Sequence, residues 1–246
     1  MIKKYRLTIK AENGLLRFEH SYALYGELMS RIDSDIADML HMEGFTPLSQ
    51  HLELNREGAA WIVTTFDDAV SEAFLCAVHE IKGISLRDSG LILNLSDPFL
   101  ENETSFESLL RESSNTLQHT RNRIEFVSPT GFKSDEQYVL YPTSNLILKS
   151  LITKWNAVCT DYVIDDAELV KMLLSSVSIS GYKLSSYDYR MKNQHIRAFS
   201  GSVSMRTKLA APLERVYTML LRFGEYSGVG IKTALGMGGI KIIKQF

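Results

Sequence analysis

Glu225-Tyr226-Ser227-Gly228-Val229-Gly230-Ile231-Lys232-Thr233-Ala234-Leu235-Gly236-Met237-Gly238-Gly239-Ile240 holds five of the chain's 15 glycines within twelve positions. Glycine is costly in conformational entropy, so such a cluster marks backbone that takes positive φ or approaches another group closely. The spacing before it predicts an amphipathic helix opened by Pro212, with Leu213, Val216, Tyr217, Leu220 and Leu221 on its buried face. A short strand, Ile240 to Ile243, is predicted after it. Two readings of the loop stand side by side. Its amides, with Lys232 and Thr233, suit a cradle for phosphate oxygens, or the glycines build a tight, packed turn. The dinucleotide fingerprint fails here, because the order is helix, loop, strand and Lys232-Thr233 follows Gly230-Ile231. A P-loop fails too, because Ile231 precedes Lys232-Thr233 and no helix follows.

Together with Val127-Ser128-Pro129-Thr130-Gly131-Phe132-Lys133, Tyr138-Val139-Leu140-Tyr141-Pro142 and Phe199-Ser200-Gly201-Ser202-Val203, the loop resembles the signature segments of a family. That family is the CRISPR-associated repeat-processing endoribonucleases of the RAMP superfamily. The resemblance implies an α+β fold of two tandem ferredoxin-like (RRM-like) domains. It also implies a metal-independent endoribonuclease that cuts CRISPR repeat RNA to mature guide RNA. Attack by the 2′-hydroxyl would leave a 2′,3′-cyclic phosphate and a 5′-hydroxyl. The alternative is a non-catalytic repeat-binding subunit of an effector complex. Repeat RNA is the partner implied, with other effector subunits and a second copy of the chain as further candidates; no cofactor is implied.

Composition allows this. With 246 residues, 45% of them hydrophobic, the chain can bury a substantial core in one domain or two small ones. No apolar run is long enough to span a bilayer, and Met1-Ile2-Lys3-Lys4-Tyr5-Arg6 lacks the apolar core of a signal peptide. Cys76 and Cys159 form no CxxC pair, which speaks against a cysteine zinc site and a disulfide framework and fits a cytoplasmic protein. No HExxH or clustered acidic motif is present, which fits metal-free chemistry. The net charge of -2 hides an asymmetry: residues 1–115 carry 10 Lys+Arg against 19 Asp+Glu, residues 116–246 carry 17 against 10. The basic half suits a polyanion, or it matches the acidic half within the molecule.

In chain order, Ile2 to Ala11 alternates as a half-buried strand with Tyr5, Leu7 and Ile9 on one face. Ser21 to His41 reads as one amphipathic helix ended by Gly44 and Pro47. Leu48 to Leu54 and Ala60 to Phe66 are strands around Asn55–Gly58. A second helix is capped by Asp67 or Asp68, with Val70, Phe74, Val78 and Ile81 as its stripe. Ile84 to Leu95 is a strand interrupted at Asp88–Gly90. The order β-α-β-β-α-β is that of a ferredoxin-like domain, assigned to residues 1–115. Asn102 to Gln118, rich in Ser, Asn and Glu, is read as the connection to a second such domain, 116–246. There Arg123 to Val127 is a strand and Thr143 to Val158 a helix. Ser175 to Leu184 and Gln194 to Lys208 are paired strands broken at Gly201.

Among six histidines, His79 reads as structural, His20 and His119 as solvated, and His195 as part of a basic strand. His41, at a helix end, suits the helix dipole. The resemblance instead implies that His41 is the proton-transfer group, with His51 as the fallback. Where some family members carry a catalytic tyrosine this chain has Met29; Tyr25 or Tyr22, one or two turns earlier, takes that place, or both belong to the core stripe of the helix. Where a lysine often follows the histidine, Thr46 stands. The RNA-binding candidates are Gly228, Gly230, Lys232 and Thr233 of the loop, and Arg190, Arg197 and Arg206 of the basic strands. The run Tyr187-Asp188-Tyr189-Arg190-Met191-Lys192-Asn193-Gln194-His195-Ile196-Arg197, followed by Arg206 and Lys208, suits phosphate pairing with base stacking, or is a solvated hairpin face.

Overall fold

The structure is a computed structural model that describes residues 1–41, 46–55, 58–81, 83–86, 89–114, 121–134, 136–192 and 194–244. The chain divides into two compact units, Met1–Thr104 with Lys232–Gly236, and Ser105–Ile231 with Met237–Phe246.

The first unit opens with β1 (Ile2–Ala11), whose alternation puts Tyr5, Leu7 and Ile9 in the core. Two helices follow, α1 (His20–Met29) and α2 (Ser34–His41), then the hairpin β2 (Leu48–Asn55) and β3 (Gly58–Thr65). Helix α3 (Asp68–His79) is capped by Asp67, whose carboxylate accepts from the Ala69 and Val70 amides. Three short strands close the unit: β4 (Gly83–Leu86), β5 (Leu91–Leu95) and β6 (Phe99–Thr104). The sheet order is β2-β3-β1-β5-β4, all antiparallel, with β6 beside the first half of β1 and β5 beside its last residues. A hairpin on one side of the first strand and the closing strand on the other is the ferredoxin-like order. The core gathers Leu24 and Leu28 of α1, Leu52 and Trp61 of the hairpin, and Val70, Phe74 and Val78 of α3. Each such side chain taken from water contributes about 1.5–3 kcal/mol.

The second unit repeats the scheme. It begins with α4 (Phe106–Ser114) and β7 (Arg121–Thr130), then the small ribbon β8 (Phe132–Ser134) and β9 (Gln137–Val139). Helices α5 (Ser144–Val158, capped by Thr143) and α6 (Ala167–Ser175, capped by Asp166) precede the long hairpin β10 (Val177–Met191) and β11 (Gln194–Thr207). Helix α7 (Ala211–Ser227) starts with Pro212 in its first turn, and β12 (Ile240–Lys244) ends the unit. The sheet order β10-β11-β7-β12 matches that of the first unit. Trp155 is held edge-on between Phe106 and Phe223, and Phe199 between Phe126 and Phe132. The fold is therefore α+β, with two tandem ferredoxin-like units.

Four expectations change. Residues 21–41 form two helices, because the Asp33 carboxylate accepts from the Asp35 amide and starts a new helix at Ser34. Asn102–Gln118 is no plain connection: 102–104 end β6, and 106–114 form α4, with Leu109 buried and Arg222 of α7 paired to Glu112. The division between units accordingly falls at Thr104/Ser105 rather than 115/116, and the segment Lys232–Gly236 returns to the first unit. The first strand of the 175–208 pair runs on to Met191 past the predicted Leu184, while the second keeps its predicted span, and α6 was not anticipated from the sequence. The bulge at Gly201 is present, where φ is +118° and an added Cβ would lie 2.1 Å from the Lys183 carbonyl oxygen. No helix among the described residues is long and apolar enough to cross a membrane.

Candidate functional site

Helix α7 stops at Gly228, whose φ of 65° only glycine adopts cheaply, and its amide still bonds back to the Gly224 carbonyl at 2.9 Å. Beyond it the loop spends its amides on the second unit. Val229 donates to the Gly238 carbonyl, Ile231 to Gly131, and Gly238 to Pro129, all at 2.8–2.9 Å. Gly230 donates to Ser150 Oγ and Gly239 to Ser128 Oγ, both at 2.8 Å. The backbones touch so closely that a Cβ at Gly230 would sit 2.2 Å from the Gly131 carbonyl oxygen. Residues 128–131 and the glycine loop are thus one packed body. For Gly228 and Gly230 the packed-turn reading describes the geometry, since amides already bonded inside the fold are not offered to a phosphate.

The loop changes character at Lys232, which takes a left-handed φ of 56° ahead of the single 3-10 turn Thr233–Leu235 and Gly236 at 100°. This short segment belongs to the first unit. Ala234 and Leu235 pack on its core, and the Ala234 carbonyl accepts from Gln50 Nε2 at 3.0 Å. Thr233 is buried, while Lys232 is half-buried. The structure therefore separates the two predicted neighbours: the lysine keeps access to solvent and the threonine does not.

His41 is the last residue of α2, and its side chain lies outside the described residues, as do residues 42–45. The helix end itself is tied down by Thr46, whose Oγ1 donates to the Leu40 carbonyl at 3.3 Å. Tyr25 is a core residue, 8% exposed, and burial raises its phenol above the ordinary range. His51 is buried on β2, with Nε2 4.0 Å from Glu53 Oε1; Glu53 in turn meets Arg6, which also bonds Glu101 at 2.6 Å. The fallback histidine thus sits in a charged network on the sheet.

The basic hairpin is better ordered than a loose ribbon. Arg197 and Arg206 are both exposed on β11, one on each side of the bulge at Gly201. Arg190 and His195 both lean on Asp188, at 3.5 and 3.4 Å. Tyr189, expected to stack on bases, is fully buried opposite Ile196, whereas Tyr182 and Tyr141 are exposed. Sequence reading also missed the neighbours of Arg206. Cross-strand register sets it beside Arg121, with Arg123, Lys183 and Lys241 on the same face of the sheet. The i, i+2 spacing of Arg121 and Arg123 was the available signal. On α5, one turn beyond Ser150, buried Lys154 points its Nζ at the Ser227 carbonyl 3.5 Å away, and burial pushes its ammonium down to about 7.

The sequence pattern of the CRISPR-associated endoribonuclease Cas6 family matches residues 124–240. A Streptococcus thermophilus CRISPR-associated endoribonuclease Cas6 is 33% identical over 219 residues, 89% of each chain. The chain belongs to the Cas6 family of CRISPR-associated endoribonucleases. A Mycobacterium tuberculosis Cas6 is 28% identical over 222 residues, covering 89% of this chain and 70% of that one. Among solved structures, a Thermus thermophilus Cas6 product complex superposes with a TM-score of 0.81 at 23% identity, over 99% of this chain and all of that one. A RAMP protein described as binding different RNA substrates gives 0.61 at 16% identity, over 99% and 100%. At these identities the structures support the shared fold, and the Streptococcus relative carries the family.

Proposed function

We propose that this member of the family cuts CRISPR repeat RNA into guide units without a metal. A ribose 2′-hydroxyl loses its proton and its oxygen attacks the adjacent phosphorus. The P–O5′ bond breaks, the 5′-oxygen takes a proton, and a 2′,3′-cyclic phosphate and a 5′-hydroxyl remain. His41 is the proton-transfer group, a role for which imidazole is the usual side chain. Lys232, Arg190, Arg197 and Arg206 hold phosphates, with Arg121, Arg123, Lys183 and Lys241 extending the face that carries Arg206. Gly228 and Gly230 shape the turn that presents Lys232, and buried Thr233 anchors it. Tyr25 serves as packing beneath the site, because a phenol with a raised pKa is a poor base. The observation that carries the reading is the 33% identity to the Streptococcus endoribonuclease across nine-tenths of both chains. The same reading puts the protein in a reducing cytoplasm with Cys76 and Cys159 as thiols.

Incubation of the purified chain with repeat RNA in chelator is the test. His41→Ala is expected to lower the cleavage rate about 10²–10⁴-fold while leaving RNA affinity nearly unchanged. Full activity in that variant removes the assignment. Thr46, where the resemblance puts a lysine, favours a second reading, in which the chain retains the guide without cutting it. Tight repeat binding with no product, alone or with effector subunits or a second copy, selects that one.

A further inference from the structure

Gln50 is 1% exposed and lies on β2 among Leu48 and Leu52, both fully buried. A carboxamide in such a place costs free energy unless every donor and acceptor is met. Here they are met from three parts of the chain. Its Oε1 accepts from Trp61 Nε1 at 2.8 Å, and its Nε2 donates to the Ser21 carbonyl at 3.1 Å and to the Ala234 carbonyl at 3.0 Å. The indole can only donate and the two carbonyls can only accept, so the orientation of the amide is fixed by its partners. No other side chain of this volume supplies one acceptor and two donors in that arrangement. Ser21 is the second residue of α1, one turn before Tyr25, and Ala234 sits two residues after Lys232, 184 residues from Gln50 along the chain.

We infer that Gln50 is a positioning residue for RNA cleavage, fixing the Lys232–Gly236 turn against the start of α1 within the first unit. The inference rests on the proposed RNA role of Lys232. A core position needed only for packing would be filled as well by leucine or methionine, and would leave no link between the turn and α1. Gln50→Glu keeps the volume and the acceptor for Trp61 but, when ionised, has no donor and sets a charge against two carbonyls. Trp61→Phe removes the other bond and leaves both donations intact.

In the full chain at mildly alkaline pH, single-turnover cleavage of repeat RNA by Gln50→Glu is expected to fall about tenfold or more at saturating RNA. Amide exchange over 232–236 rises while the β7–β11 pairing stays protected. Lowering the pH protonates the new carboxyl and restores one donor, so the ratio of variant to wild-type rate climbs. Trp61→Phe cleaves within about threefold of wild type. A merely structural Gln50 would lower the melting temperature and leave the turnover of folded protein unchanged, and that result overturns the proposal. Should Gln50→Glu fail to fold, the wild type decides: residues 21–25 and 232–236 are expected to open together in denaturant-dependent hydrogen exchange. Independent opening of the two segments overturns the link. Absence of cleavage by the wild type removes the function instead, and the exchange result stands apart from it.

Discussion

Replacing Gly230 by alanine places a methyl carbon 2.2 Å from the Gly131 carbonyl oxygen, 3.2 Å from its carbon and 3.5 Å from a Phe132 ring carbon. The first two neighbours are backbone, so no side chain can swing aside. The two segments must part by about 1 Å to reach ordinary contact. The bond from the Ile231 amide to that same oxygen, now 2.9 Å, does not survive such a shift, and the Gly230 bond to Ser150 is disturbed with it. Each net loss is about 1 kcal/mol, and a left-handed φ of +79° costs a non-glycine about 1–2 kcal/mol more. Alanine restricts the unfolded chain and returns about 0.4–1 kcal/mol. The expected destabilisation is about 2–4 kcal/mol, a large share of a typical domain's 5–15 kcal/mol. Urea titration followed by Trp155 emission in a Trp61→Phe background measures it in the second unit. Gly181→Ala is the control, with no atom within 4 Å of its added Cβ, and is expected to lie within about 0.5 kcal/mol of the parent. A Gly230→Ala protein as stable as that control would refute the argument that loop and 128–131 segment form one packed body.

Two further outcomes follow from buried groups. Lys154 titrates near 7 when folded and near 10.5 when unfolded, so between these values the unfolded chain binds more protons and stability rises with pH, by up to about 1.4 kcal/mol per unit. Below that window both forms are protonated and the dependence disappears; urea midpoints across the range should show the rise in wild type and its loss in Lys154→Met. Tyr25→Phe is expected to cleave within about threefold of wild type while Tyr25→Ala costs about 3–5 kcal/mol of stability, and loss of cleavage in the phenylalanine variant would return the phenol to the chemistry.

What the sequence revealed was local. The alternation of β1, the Asp67 cap and apolar stripe of α3, the helical span from Thr143 to Val158 and Pro212 of α7 each lie within a few residues of what they specify, and each element formed as read. Strand β6 escaped because Phe99 and Leu100 are exposed and nothing alternates; its strand character comes from pairing with β1, about a hundred residues away. The break between α1 and α2 escaped because the apolar spacing runs through it, and only Asp33 marks the restart. At the site, the glycine cluster announced unusual backbone, but the groups that consume its amides, Pro129, Gly131, Ser150 and Ser128, are 80 or more residues distant. The role of Tyr189 reversed for a similar reason: strand parity sets its side chain inward, and the face that is inward depends on what the sheet packs against.

The return of Lys232–Gly236 to the first unit bears on how the molecule is made. A ribosome delivers β1 through β6 early, yet the Ala234 carbonyl that completes Gln50's partners is made 184 residues after Gln50, together with the Ala234 and Leu235 side chains that pack on the same core. Until then the first unit waits with a polar gap in its interior. Its maturation is thereby chained to the arrival of the Lys232–Gly236 segment.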